Sequence, residues 1–175
     1  MDASAHGSVI RLAAAGDELA CAQLVDEYYG PMVRAAFVIT GDTDTAREAV
    51  QAAWTLAWRK LGKLREPESI RPWLVSIAAN EARRLVRRQR RRTVVELSAG
   101  VDERAWVDPA GTIDLMDLGR ALRGLDPDER SLLALRYVAG LDSTEIARHT
   151  GLSASGVRSR RARLLERLRG ELEHA

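Results

Sequence analysis

The run from Asn80 to Arg92, Asn-Glu-Ala-Arg-Arg-Leu-Val-Arg-Arg-Gln-Arg-Arg-Arg, constrains this chain more than any other stretch. It continues, without a glycine or proline, a helical pattern that begins near Pro72-Trp73-Leu74, so an apolar helix becomes a cationic rod. Every position from Arg83 to Arg92 that is not arginine is Leu85, Val86 or Gln89; no acid intervenes. Guanidinium groups at that density suit a polyanion, because each can fork two hydrogen bonds onto a phosphate and release counterions. A solvated basic face is the plainer alternative.

Charge is segregated along the chain. The net charge of +2 is too small to hold a nucleic acid by bulk attraction, so any binding must come from local patches. Residues 1–92 and 120–175 are both basic, whereas residues 93–119 carry Glu96, Asp102, Glu103, Asp108, Asp114 and Asp117 against Arg104 alone. Two basic blocks on an acidic connector point to two nucleic-acid modules. Cys21 is the single cysteine, which excludes an intramolecular disulfide and suggests a buried thiol in a reducing compartment. No apolar run approaches the roughly 18–20 residues that cross a bilayer. No secretory signal is expected at the N-terminus, and the cytoplasm is the default location.

Nearly everything outside the connector has helical period, so the expected class is all-α. Asp17 caps a helix to about Tyr29 with Leu19, Leu24 and Tyr28 on one stripe; Gly30-Pro31 is expected to break it and start another that ends before Gly41. Asp42 or Thr43 caps a third, in which Ala46, Ala49, Val50, Ala53, Trp54, Ala57 and Leu61 form an amphipathic stripe. Trp58 lies off that stripe and suits either core or a partner contact. Residues 62–69 read as a loop, and the fourth helix packs through Trp73, Leu74, Ile77, Ala78 and Leu85. Four such helices can enclose a core.

Residues 93–119 lack periodicity and read as a linker, with Trp106 as an apolar anchor. Beyond it, Leu118, Leu122 and Leu125 end a helix, and Asp126-Pro127-Asp128-Glu129 is an N-cap, first-turn proline and capping partner in order. Leu132, Leu133, Leu135, Tyr137 and Val138 make its apolar face, which stops at Gly140. A short helix opens at Asp142 or Ser143, Thr150-Gly151-Leu152-Ser153 is a tight turn, and Ala154–Leu172 forms the last helix. That outline is a helix-turn-helix. At 100° per residue Val157, Leu164, Leu165, Leu168 and Leu172 gather on one side, and Ser155, Ser159, Ala162 and Arg163 lie opposite with Arg158 on the flank. Small polar residues and arginines on one face let a helix enter a major groove. His6, His149 and His174 lie in a tail, a helix and a tail, without metal-ligand spacing, and no metal, cofactor or catalytic constellation is expected.

These residues resemble a known family. Trp73-Leu74-x-x-Ile77-Ala78-x-Asn80 with the arginine run is similar to the promoter-melting helix of extracytoplasmic-function (ECF) sigma factors, within the sigma-70 class. Ser155-Gly156-Val157-Arg158-Ser159-Arg160-x-x-Arg163 is similar to their second DNA-reading helix. Leu125-Asp126-Pro127-x-Glu129-Arg130 and Glu145-Ile146-Ala147 stand where the family has comparable residues. The resemblance spans roughly residues 17–172.

It implies a sigma-2-like bundle over 1–92, an acidic linker over 93–119 and a sigma-4-like helix-turn-helix over 120–175. The first binds the β′ clamp of bacterial RNA polymerase and opens the promoter −10 element; the last reads the −35 element; the linker threads the cleft and RNA exit path. Asn80, Arg83, Arg84, Arg87, Arg88 and Arg91 would contact −10 DNA, with a loop over 64–70 helping to hold an extruded base. Ser155, Arg158, Ser159, Arg160 and Arg163 would contact the −35 element. Arg47, Glu48, Gln51 and Thr55 would meet core polymerase, both β′ and β. Promoter DNA and an anti-sigma factor are the other partners the family implies. The alternative reading is a helix-turn-helix regulator whose first half binds something else.

One departure stands out. The family's docking helix usually reads Asp-Ala-Glu-Asp-x-x-Gln-Glu; here Thr45-Ala46-Arg47-Glu48-Ala49-Val50-Gln51-Ala52 keeps only Glu48 as an acid. A phosphate on Thr43 or Thr45 would resupply negative charge at a helix N-terminus, whereas either threonine is otherwise only a cap. A co-varied partner surface, with Arg47 meeting an acid, is the rival.

Overall fold

The computed structural model describes residues 3–96, 122 and 124–173. The linker expected over 93–119, with Trp106 and Leu118, therefore falls almost wholly outside the described residues, as does His174. Those described form helices and turns, with no strand among them.

Helix α1 spans Ala3–Ala14 and was absent from the expectations; His6 belongs to it, and its Nε2 lies 2.6 Å from the Tyr28 hydroxyl. Gly16, at φ 92°, turns the chain into α2 (Glu18–Thr40), which Asp17 caps by accepting from the Ala20 N–H at 2.8 Å. The break expected at Gly30-Pro31 does not occur, and Pro31 sits inside α2. A proline in a helix interior costs about 3 kcal/mol. Burial of a large aliphatic side chain stabilises by about 1.5–3 kcal/mol, and Leu24, Met32 and Ile39 are all buried on one stripe that crosses the proline. Packing outweighs the lost hydrogen bond. Leu19 is corrected too: it is 83% exposed, off that stripe.

Gly41, left-handed at φ 71°, ends α2 with its N–H on the Phe37 carbonyl. Asp42, rather than Thr43, then caps α3 (Thr43–Lys60). The stripe read from the sequence is the one buried: Ala46, Ala49, Val50, Ala53, Trp54 and Ala57, with Leu61 following. Short 3₁₀ turns at Leu61–Lys63 and Pro67–Ser69 lead into α4 (Ile70–Glu96), and α1 packs across both.

α4 buries more than one face. Leu74, Ala78 and Leu85 are buried as expected, but Trp73 and Ile77 are only half-buried, and Val75, Ala79, Ala82 and Val86 are buried as well. The reason is a second layer. α5 (Pro127–Leu133) and the π-helical turn Ala134–Val138 that continues it pack against both α2 and α4.

The second half follows its local signals closely. Asp126 and Glu129 form a reciprocal capping box, with Pro127 in the first turn. Gly140, at φ 79°, closes the π turn, and Asp142 and Glu145 make a second capping box for α6 (Ser143–Thr150). Gly151 then turns at φ 71° into α7 (Ala154–Glu173), whose first turn is tied by the Gly156 N–H on Ser153 Oγ. Val157, Leu164 and Leu168 are buried, whereas Leu172 and Tyr137 are exposed where the sequence pattern placed them on apolar faces. Cys21 is half-buried, its thiol directed at the Ala13 carbonyl.

Candidate nucleic-acid interface

α4 brings together the residues picked out from the arginine run, yet it treats them differently. Asn80, Arg88 and Arg91 are exposed. Arg84 is turned back along its own helix, with Nε and Nη2 donating to Glu81 Oε2 at 2.8 and 2.6 Å. Arg83 and Arg87 reach across to the second half. Arg83 donates from Nε to Asp128 Oδ1 at 2.9 Å, and Arg87 donates from Nη2 to both Asp128 oxygens at 2.9 and 2.7 Å. Arg83 also approaches the His149 carbonyl at 3.5 Å, at the end of α6.

Partial burial alone would raise the Asp128 pKa. The hydrogen bonds and positive charges of Arg87 and Arg83 outweigh it and hold the carboxyl below its ordinary value. The nearby Arg130 is pushed down to about 10, first by burial and then by the like charge of Arg90, against an opposing pull from Asp126. Its Nε finds no partner. Burial also lowers the His149 pKa, helped by Arg148 and opposed by Glu145.

α7 presents Ser155, Arg158, Ser159 and Arg163 to solvent together. Arg160 departs from that group: it is half-buried and turns inward, its Nη2 3.5 Å from Asp126 Oδ2. Arg167, which the sequence reading did not choose, pairs with Glu129 at 3.0 Å and so ties α7 to the start of α5. The exposed face is thus a helix-turn-helix surface held from behind by arginine–carboxylate pairs.

α3 carries the remaining candidates. Arg47, Glu48, Gln51 and Thr55 are all exposed on one side of it. Arg47, Gln51 and Thr55 border an open groove of about 480 Å³ whose floor includes Trp54 and Trp58, stacked with ring centroids 4.8 Å apart. Val25 and Tyr29 of α2 complete it. The sequence reading missed these two because their place in the groove depends on how α2 crosses α3, which no local spacing shows. Thr45 is 6% exposed, and its N–H and hydroxyl both donate to Asp42 Oδ2. That hydroxyl is closed to a modifying enzyme unless the first turn unwinds. Thr43 is partly exposed.

The model of sigma-70 region 2 matches residues 24–92, and that of sigma-70 region 4 matches residues 115–168. RNA polymerase sigma factor CarQ of Myxococcus xanthus is 34% identical over 139 residues, which is 73% of this chain and 76% of CarQ. ECF RNA polymerase sigma factor RpoE of Cereibacter sphaeroides is 29% identical over 87% of this chain and 86% of its own length. The Xanthomonas campestris protein named "Probable RNA polymerase sigma factor RfaY" is 31% identical over 98% of this chain, which spans only 45% of that relative. In fold, the chain resembles the sigma factor RpoE of Bartonella quintana, solved with the anti-sigma factor NepR, at a TM-score of 0.73, with 24% identity, over 86% of this chain and 95% of that one. The chain belongs to the extracytoplasmic-function group of sigma-70 type RNA polymerase sigma factors.

Proposed function

We propose that this protein associates with bacterial core RNA polymerase and directs it to selected promoters, as an initiation factor without catalytic chemistry of its own, in the cytoplasm. The observation that carries the reading is the order of two sigma-70 regions on one chain, each ending in an arginine-bearing helix. A regulator using only the helix-turn-helix would leave the match over residues 24–92 without a purpose.

The division of labour follows the side chains. Residues 1–92 dock on the β′ clamp through the α3 surface of Arg47, Glu48, Gln51 and Thr55 with the adjoining aromatic groove. They hold melted −10 DNA along α4, where Asn80, Arg88 and Arg91 already face outward and Arg83, Arg84 and Arg87 supply further charge. Melted strands are held by such basic ridges together with pockets for extruded bases. Residues 93–119 form an acidic connector suited to a basic channel by charge mimicry. Residues 120–175 read the −35 element through Ser155, Arg158, Ser159 and Arg163, with Arg160 at the base of the helix. An anti-sigma factor is a further partner of the same surfaces.

The test is to mix the chain with core polymerase and measure co-elution and promoter-dependent transcript. Stable association and a discrete start site are expected. An intact, helical chain that neither associates nor initiates on any genomic fragment overturns the proposal. Arg47→Glu with Ala52→Glu, made in parallel, tests the missing acids. Tighter binding than wild type shows that the clamp wants negative charge there, and equal or weaker binding shows that Arg47 is matched to its partner.

A further inference from the structure

Asn80, Arg84, Arg88 and Arg91 fall at i, i+4, i+8 and i+11, so they share one face of α4, and all four are exposed. Arg84 differs from the other two arginines of that face. Its Nε and Nη2 both donate to Glu81 Oε2, at 2.8 and 2.6 Å. The Glu81 side chain is only 11% exposed, whereas that of Arg84 is 59% exposed. A carboxylate packed that tightly moves little, and the guanidinium it grips is held in one plane. Arg88 and Arg91 have no carboxylate partner among the described residues.

The grip uses one edge of the guanidinium and leaves the other. Among the described residues Nη1 has no partner. With the second proton of Nη2 it forms a fork open to an outside pair of acceptors. Two such pairs occur in nucleic acid: O6 and N7 of guanine, and two oxygens of a phosphate. The surroundings favour guanine. Glu81 already neutralises Arg84, so the pair has little charge left to draw a phosphate or release its counterions. A base edge also has a fixed plane, and a guanidinium held in advance loses less freedom on meeting it. The unpaired Arg88 and Arg91 are better suited to phosphates.

We infer that Arg84 reads a guanine edge in DNA lying along α4, and that Glu81 is its positioning residue. The inference rests on the reading of α4 as a DNA-binding ridge. It adds that the ridge selects a base at one position and does not act by charge alone.

The experiment uses the full chain free of polymerase, since Arg84 is already open to solvent. Anisotropy follows the binding of three fluorescein-labelled single strands. These are oligothymidine, the same strand with two central guanines, and that strand with deazaguanine, which lacks N7 but keeps every phosphate. Wild type should favour the guanine strand over the other two by about fivefold or more, the lower end of what a bidentate arginine–guanine pair discriminates. Arg84→Lys keeps the charge and loses the fork, so the preference should vanish while oligothymidine affinity holds. Glu81→Gln frees the guanidinium for phosphates. Oligothymidine should then bind more tightly, with a salt slope steeper by about 0.7, while the guanine preference falls. A merely structural Glu81 would weaken all three strands together when replaced. Arg88→Ala should also weaken them alike. Circular dichroism checks the fold, and Arg84→Lys, an exposed change, decides the matter if Glu81→Gln unfolds. Equal binding of the three strands by wild type, or a preference that survives Arg84→Lys, overturns the inference. If no strand binds, α4 is not a DNA ridge and the inference falls with it. Failure of the initiation reading registers separately, as absence of transcript with core polymerase while the guanine preference persists.

Discussion

α4 and α7 are both arginine-rich helices, and they differ in what their arginines meet. On α7 Arg158 and Arg163 are exposed, whereas Arg160 and Arg167 are paired with carboxylates of their own half. On α4 the pairing partner comes from the other half: Asp128 holds Arg83 and Arg87, while Arg88 and Arg91 remain outside. Counting charges along a sequence treats these helices alike. One set of arginines is left to solvent and the other is partly occupied.

The sharpest way to break that comparison is to split the α4 arginines into their two sets. Arg88→Ala with Arg91→Ala removes cations already exposed in the free chain. The salt slope for single-stranded DNA should then fall by about 1.4 units, from roughly 0.7 per lost phosphate contact. Arg83→Ala with Arg87→Ala removes cations that Asp128 already occupies, so the slope in the free chain should change little. With core polymerase bound and the halves parted, both pairs should impair promoter opening. Equal losses for both pairs in the free chain would show that Asp128 shields nothing.

The next effect belongs to α7. Arg158→Ala or Arg163→Ala should cost about 1–3 kcal/mol in upstream promoter affinity if a base edge is lost, with selectivity relaxed at that position. Loss of a phosphate contact would weaken all sequences alike. Footprinting of the polymerase complex on promoter variants separates the two. If both variants bind and initiate as wild type does, α7 is not the reading helix, and its exposed face has lost its contrast with α4.

How much of this was legible depends on the range of each interaction. The capping box of Asp126 with Glu129 spans three residues and was readable, as was the burial of Ala46, Ala49, Val50 and Ala53 on one stripe of α3. Pro31 was misread because a local rule met a tertiary one: the buried line from Leu24 through Met32 to Ile39 keeps α2 intact. The exposure of Ser155, Arg158, Ser159 and Arg163 on one face of α7 was visible from helical angles alone. The pairing of Arg87 with Asp128 bridges 41 residues. No spacing rule predicts it, and the extra burial of Val75, Ala79 and Val86 shows only once the second layer is in place.

The smallest effect is the dependence on pH of the contact between Asp128 and α4. Arg87 and Arg83 hold the folded Asp128 pKa below its ordinary value of 3.8. A carboxylate with a depressed folded value stabilises the contact fully at neutral pH and loses that contribution as pH falls through the folded value. The contact should therefore weaken only in acid, below the ordinary carboxyl value, and should be flat from there to neutrality. The Asp128 side chain is 42% exposed, so screening limits the effect to a few tenths of a kcal/mol. Scattering during an acid titration should show a slight expansion before the helical signal is lost, and Asp128→Asn should abolish it. Asp142 is also lowered, by the backbone hydrogen bonds from Glu145 and Thr144, but it caps α6 within the second half. Its protonation should loosen that helix without parting the halves. Expansion that persists in Asp128→Asn would assign the acid response to another carboxylate and remove Asp128 from the contact between the two arginine helices.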